Sequence, residues 1–577
     1  MTNPQSPIPN PQLARVGVVF EQAEAERLRA GGRNAFQLYL REILDHAGVP
    51  HQWFDHHQDA LRRPRREPPL DILIVALAGD GEAAAEAILQ FAERGGVVIG
   101  LANLSSLAAR LGFELAETGV GYAALDGGQP LRFLAAAPWI LTPEVPGAKG
   151  YGELRRDSPM GEAAGPVIAR CDVGRGLIER WAVDVAATVV HLQQGLGPVV
   201  QDGPPAPDGS GPIDEGILKA DDGFALDWEL DRARTETGQP YFAYPYADLW
   251  REAFIGRLLR IALERGLALP FVDVWPNGVR QVATISHDSD LNTDESAETT
   301  LDILRELGLQ STWCIIEPGY SPRIYERVLA DGHELAFHYN AVVHEGLKWD
   351  ADDFKRQFDW MKRATSLPAV VSNKNHYTRF EGWGDLFRWL EQAGIQADQT
   401  RGPSKRGNVG LLFATCHPFF AIAWRDEGNR LYDVIEIGFL TQDLDLGSWA
   451  DSSVIGPFLE RVEQVCGVAH FLFHPVHLHA QEKVRQAIRS VVSQARERGF
   501  VFWTSRQIND WVRARRALRV EGFDVGGAVV LSGAGTAGPA ASQAVVWVPA
   551  GHESAGGPGW AQRYGVWCRR ADKVLVS

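Results

Sequence analysis

Between residues 281 and 517 the sequence alternates between short apolar runs and amphipathic stretches of helical length. The runs at 282–287, 311–316, 333–338, 369–375, 395–399, 468–473 and 500–504 read as buried strands. The stretches at 294–307, 321–331, 350–365, 383–393, 454–465, 482–498 and 505–517 read as helices between them, with Asp350 a natural N-cap. Two more strands fall near 411–423 and 432–440. Apolar strands that alternate with helices imply a parallel sheet covered on both faces. Seven or eight such units predict a (β/α) barrel.

The chain has 577 residues, too many for one typical core. The expected class is α/β and multidomain: a Rossmann-like α/β domain over 1–125, a β-rich connector over 126–240, the barrel over 241–518 and a small β module over 519–577. The first domain shows strands at 15–21, 71–77 and 97–101, with helices near 33–47 and 81–94. That pattern resembles the glutamine-amidotransferase-like fold. The resemblance implies a nucleophilic Cys just after the third strand, where this chain reads Gly100-Leu101-Ala102-Asn103-Leu104. Residues 1–170 contain no Cys, so the domain is expected to be an inert scaffold or a binding module.

A net charge of −16 argues against nucleic acid or an anionic membrane as partner. The five cysteines form no CxxC pair, which excludes a disulfide framework and a thiolate zinc site. The opening MTNPQSPIPNPQ lacks the charged and apolar regions of a signal peptide, and no apolar run approaches membrane-spanning length. A cytoplasmic location is the expectation; the sequence does not specify an oligomeric state.

Asp288 and Asp290 end the first barrel strand, His338 the third, His376 the fourth, and His474 follows the strand at 468–473. In a parallel barrel these ends meet at one face. A carboxylate with two imidazoles suits a divalent metal and leaves positions open for water and substrate. A second carboxylate can take a proton, and a separate His can give one. Read singly, Asp288 and Asp290 could cap the following helix, and His338 could be a core histidine.

The run Thr284-Ile285-Ser286-His287-Asp288-Ser289-Asp290 resembles the first motif of the polysaccharide deacetylase family (carbohydrate esterase family 4, the NodB-homology domain). Gly332-His333-Glu334-Leu335-Ala336-Phe337-His338 is similar to its second motif, Asn375-His376-Tyr377 to its third and Leu472-Phe473-His474 to its last. Phe502-Trp503-Thr504-Ser505, with Ile508 and Trp511, resembles the closing strand and helix.

The resemblance implies a hydrolase that removes N-acetyl groups from a carbohydrate. Its implied cofactor is a divalent metal, Zn2+ first and Co2+ or Ni2+ as alternatives. Asp288 would be the general base, Asp290 and His338 metal ligands, and His474 the general acid. Tyr377 would contact the reacting oxygen, and His376 would line the substrate site. Two departures stand out. The family's second His ligand falls four residues after the first; position 342 is Val, and His344 is the next candidate ligand. Lys374 stands where the family has an orienting Arg, and Arg379 is a second cation within reach. A metal-dependent amidase on a non-sugar C–N bond and a non-catalytic glycan-binding protein are the alternative functions. Trp313, Trp349, Trp383 and Trp424 are candidate sugar platforms, with His417 and Glu436 as further pocket candidates.

Overall fold

The computed structural model describes residues 12–61, 68–125, 127–141, 147–213, 216–447, 449–533, 538–551 and 559–576, excepting the side chains of 344, 538 and 539. It contains two compact units. One comprises 1–189, 249–277 and 514–577; the other comprises 190–248 and 278–513.

The first unit is built on a seven-stranded sheet. Its order is Gln52–Phe54, Val16–Phe20, Ile72–Leu77, Val97–Leu101, Gly176–Trp181, Ile168–Val173, Ala148–Tyr151. The first five are parallel, and the last two pair antiparallel. Val16–Phe20, Ile72–Leu77 and Val97–Leu101 are buried along their whole length, which is why they appear in the sequence as unbroken apolar runs. Leu73, Val75, Val98, Ile88, Phe91, Leu107 and Trp139 pack into one core. After Val97–Leu101 the backbone turns through left-handed residues Ala102 (φ 53°) and Leu104 (φ 62°), with no nucleophile at the turn. The C-terminal strands belong to this unit, where Val546–Pro549 pairs with Phe271–Val272.

The second unit carries the predicted alternation of strands and helices. Its strand order is Phe419–Ile422, Leu431–Glu436, Ala397–Asp398, Ser372–Asn375, Glu334–Tyr339, Thr312–Ile315, Gln281–Asp288, Val468–Leu472, Thr441–Gln442, and Phe500–Phe502 also pairs with Gln281–Asp288. All pairings are parallel except Phe419–Ile422 with Leu431–Glu436. One stretch of chain spans both sides of this curved layer. The Ile437 N–H donates to Asp398 O at 2.7 Å, and the Leu440 N–H donates to His470 O at 2.9 Å.

The expected strand near 411–423 is confined to Phe419–Ile422, and Leu411 to Pro418 run without strand structure. The Asp350 carboxylate caps the helix Ala351–Thr365 by accepting the Asp353 N–H at 2.8 Å, as expected of that residue. No described helix is long and apolar enough to cross a membrane. All five cysteines are free thiols.

Candidate active site

The site gathers at the C-terminal ends of the second unit's parallel strands. Side chains alternate along a strand, so Ser286 and Asp288 share one face of Gln281–Asp288. Register places His338 beside Lys374 on the neighbouring strands. Asp290, His376, Asp443 and His474 lie just beyond their strands, where the backbone is free to turn toward a common centre.

Asp290 is that centre. Its Oδ1 lies 3.4 Å from His338 Nε2 and 3.3 Å from His376 Nδ1, and its Oδ2 lies 3.5 Å from His474 Nε2. His338 Nδ1 donates to Lys374 O at 2.9 Å, so its Nε2 carries the lone pair that faces Asp290. Both His338 Nε2 and Asp290 Oδ1 are buried without a hydrogen-bond partner. Two donors on one ion, each about 2.0–2.1 Å from it, sit roughly 3.3 Å apart in tetrahedral geometry. One carboxylate and two imidazoles at this spacing, with Asp290 Oδ1 and His338 Nε2 otherwise unsatisfied, fit a divalent metal.

Asp288 is buried, which alone would push its carboxyl up, yet Lys374, His338 and His474 overcome that and hold it below the usual range. Lys374 Nζ lies 3.4 Å from Asp288 Oδ1 and donates to Ser286 Oγ at 2.7 Å. Ser286 Oγ in turn bonds His470 Nε2 at 2.8 Å. Burial also opposes charging His474, but the Asp443 carboxylate, bonded to its Nδ1, and then Asp290 and Asp288 push its pKa up to about 10. The imidazoles of His338, His376 and His474 hold Asp290 well below its usual value against the effect of burial.

These groups open on a cavity of 330 Å³ lined by Asp288, Asp290, His376, Tyr377, His474 and His477, with Lys219, Phe439, Gln442 and Trp449 among its other walls. Tyr377 is 47% exposed and sits in left-handed backbone (φ 55°), turned to the cavity beside His376. Thus Asp288, Asp290, His338, Lys374, His376, Tyr377 and His474 come together. The side chain of His344 lies outside the described residues; its backbone is in the short helical turn Val343–Glu345.

Arg379 does not join them, because its guanidinium is engaged by Glu381 and by Leu218 O. The four tryptophans are not cavity walls: Trp313 is buried in the core, Trp383 packs on Trp424, and Trp349 packs on Trp389. His417 is tied to Val465 O, and Glu436 is buried beside Asp398 and Arg401. Sequence reasoning missed Asp443, whose signal was an Asp-Leu-Asp run after a short apolar stretch.

No family model and no curated protein matches the chain. Among solved structures it is similar to a Mycobacterium smegmatis protein assigned to the polysaccharide deacetylases, at 16% identity and TM-score 0.32, over 42% of this chain and 94% of that one. A carbohydrate esterase family 4 domain of a multidomain xylanase, from the hindgut metagenome of Trinervitermes trinervoides, matches at 14% and 0.24, over 40% of this chain and 89% of that one. A pseudoenzyme of that same family from Bacillus anthracis matches at 12% and 0.25, over 41% and 66%.

Proposed function

We infer that the second unit is a metal-dependent hydrolase that removes an N-acetyl group from a carbohydrate. The observation that carries this reading is the convergence on one cavity of an ionised Asp288, the Asp290–His338–His376 donor set and a His474 kept protonated by Asp443. Asp290, His338 and His376 would hold the ion, with His376 taking the place first expected of His344. The ion would supply Lewis acidity toward the acyl oxygen and the attacking water.

Asp288 takes a proton from that water, and Lys374 keeps the carboxylate ionised and aligned. His474, oriented by Asp443, donates a proton to the leaving nitrogen as the C–N bond breaks, so acetate and a free amine leave together. Tyr377, exposed at the rim, would cover the sugar ring.

Acetate release from N-acetylated amino-sugar oligomers by zinc-loaded protein tests the reading. Asp288→Asn and His474→Ala should each lower kcat by about 10²–10⁴-fold, the usual contribution of a general base or acid. Release that survives both substitutions and chelation would sink it.

A further inference from the structure

The first unit holds a second cluster of this chemical kind, at the C-terminal edge of its own parallel sheet. Glu21 follows the strand Val16–Phe20, His56 and His57 follow Gln52–Phe54, and Gly79 follows Ile72–Leu77. The chain leaves Val16–Phe20 for one neighbour and returns to the other, so Glu21 and Gly79 stand where strand order reverses. Ligands of open α/β sheets gather at that crevice.

Glu21 and His57 are buried, and His56 is half exposed. Glu21 Oε1 lies 2.5 Å from His57 Nδ1 and 3.8 Å from His56 Nε2, and the two imidazoles stack with centroids 4.3 Å apart. The three residues offer one donor atom each, all within 4.8 Å of one another.

A structural role accounts for part of this. The Glu21 carboxylate accepts the N–H of Gly79 at 2.9 Å and of His57 at 3.3 Å, tying strand ends together. It does not account for His57 Nε2, which is buried with no hydrogen-bond partner. Nor does it explain a second imidazole drawn toward the same carboxylate oxygen on the solvent side. A carboxylate and two imidazoles, closed on one side and open on the other, are the donor set of a three-ligand transition-metal site with room for exchangeable ligands.

We propose that Glu21, His56 and His57 form a binding site for a divalent transition-metal ion in the first unit. This site is separate from the Asp290 cluster and does not depend on the hydrolase reading. The ion would displace the proton that Glu21 Oε1 and His57 Nδ1 share, so that these two buried groups become donors, and His56 closes from solvent.

The test uses the full chain with Asp290→Asn and His338→Ala, which removes two donors of the other cluster. This protein is stripped with chelator and titrated with Co2+, and bound metal and visible absorption are both recorded. One equivalent with a ligand-field band is expected, and adding His56→Ala should weaken binding by roughly tenfold or more. His56 is half exposed, so its loss leaves the fold intact, as matching far-UV spectra check. The proposal is overturned if the doubly substituted chain binds no Co2+, or if it binds Co2+ with an affinity that His56→Ala leaves unmoved.

Discussion

Lys374 is fully buried, and its Nζ is shared between the Asp288 carboxylate and the Ser286 hydroxyl. Removing one partner of such a pair leaves the other uncompensated, at a cost of about 3–5 kcal/mol. Lys374→Met should therefore destabilise the protein by that order. Lys374→Met combined with Asp288→Asn should cost clearly less than the two single losses added together. Urea unfolding of the four proteins closes this cycle; strict additivity would mean that the two groups do not interact.

At this scale the sequence indicated which side chains gather around Asp290 wherever a residue stood at or just beyond the end of a strongly apolar strand, as Asp288, His338 and His474 do. It was a poor guide to Asp443, because the strand before it, Thr441–Gln442, is two residues long and carries no apolar signature. His376 presented a different difficulty: nothing in a single sequence says that its ring turns to Asp290 rather than into the core.

Elements were legible when their signals were local. The helix Ala351–Thr365 announced itself by an apolar stripe and by Asp350 before its first turn. That cap satisfies an otherwise orphaned N–H, so Asp350→Ala should lower stability by about 1 kcal/mol with activity unchanged. Chemical denaturation measures the first, acetate release the second. Elements defined by long-range pairing were not legible. The strands Ile168–Val173 and Gly176–Trp181 lie far along the chain from Val97–Leu101, yet the second of them completes the parallel part of the first sheet. Apolar content alone also overextended the strand expected near 411–423. There buried side chains such as Leu411, Leu412 and Phe413 sit in irregular backbone, and burial without a strand partner leaves the same trace in a sequence.

Over the whole molecule, buried histidines set how stability responds to acid. Burial pushes His333 down to about 4 and His287 and His470 down to about 3. His333 Nδ1 accepts the Ser311 N–H at 3.0 Å, a bond that protonation would break. Each of these groups is neutral when folded, while in the unfolded chain it takes up a proton near pH 6.5. Their contribution is therefore fully present above about 6.5 and is lost as the pH falls from there toward 4 and 3. The thermal midpoint should drop across that window, and His333→Gln should flatten part of the slope. A midpoint curve identical in the variant would contradict the assignment for His333.

The stretch that joins Asp398 to His470 sets an order on assembly. Asp290, His338 and His376 lie within one continuous run of the chain, on or just beyond strands of a single contiguous set. Asp443 follows the joining stretch, and His474 comes later still. As the polypeptide emerges from synthesis, the corner proposed to hold a cation can therefore be in place before the imidazole proposed to deliver protons has a carboxylate to charge it. On the proposed roles, a nascent or partly unfolded chain holds an ion before it can turn over, and competence arrives only with the last seam of the sheet.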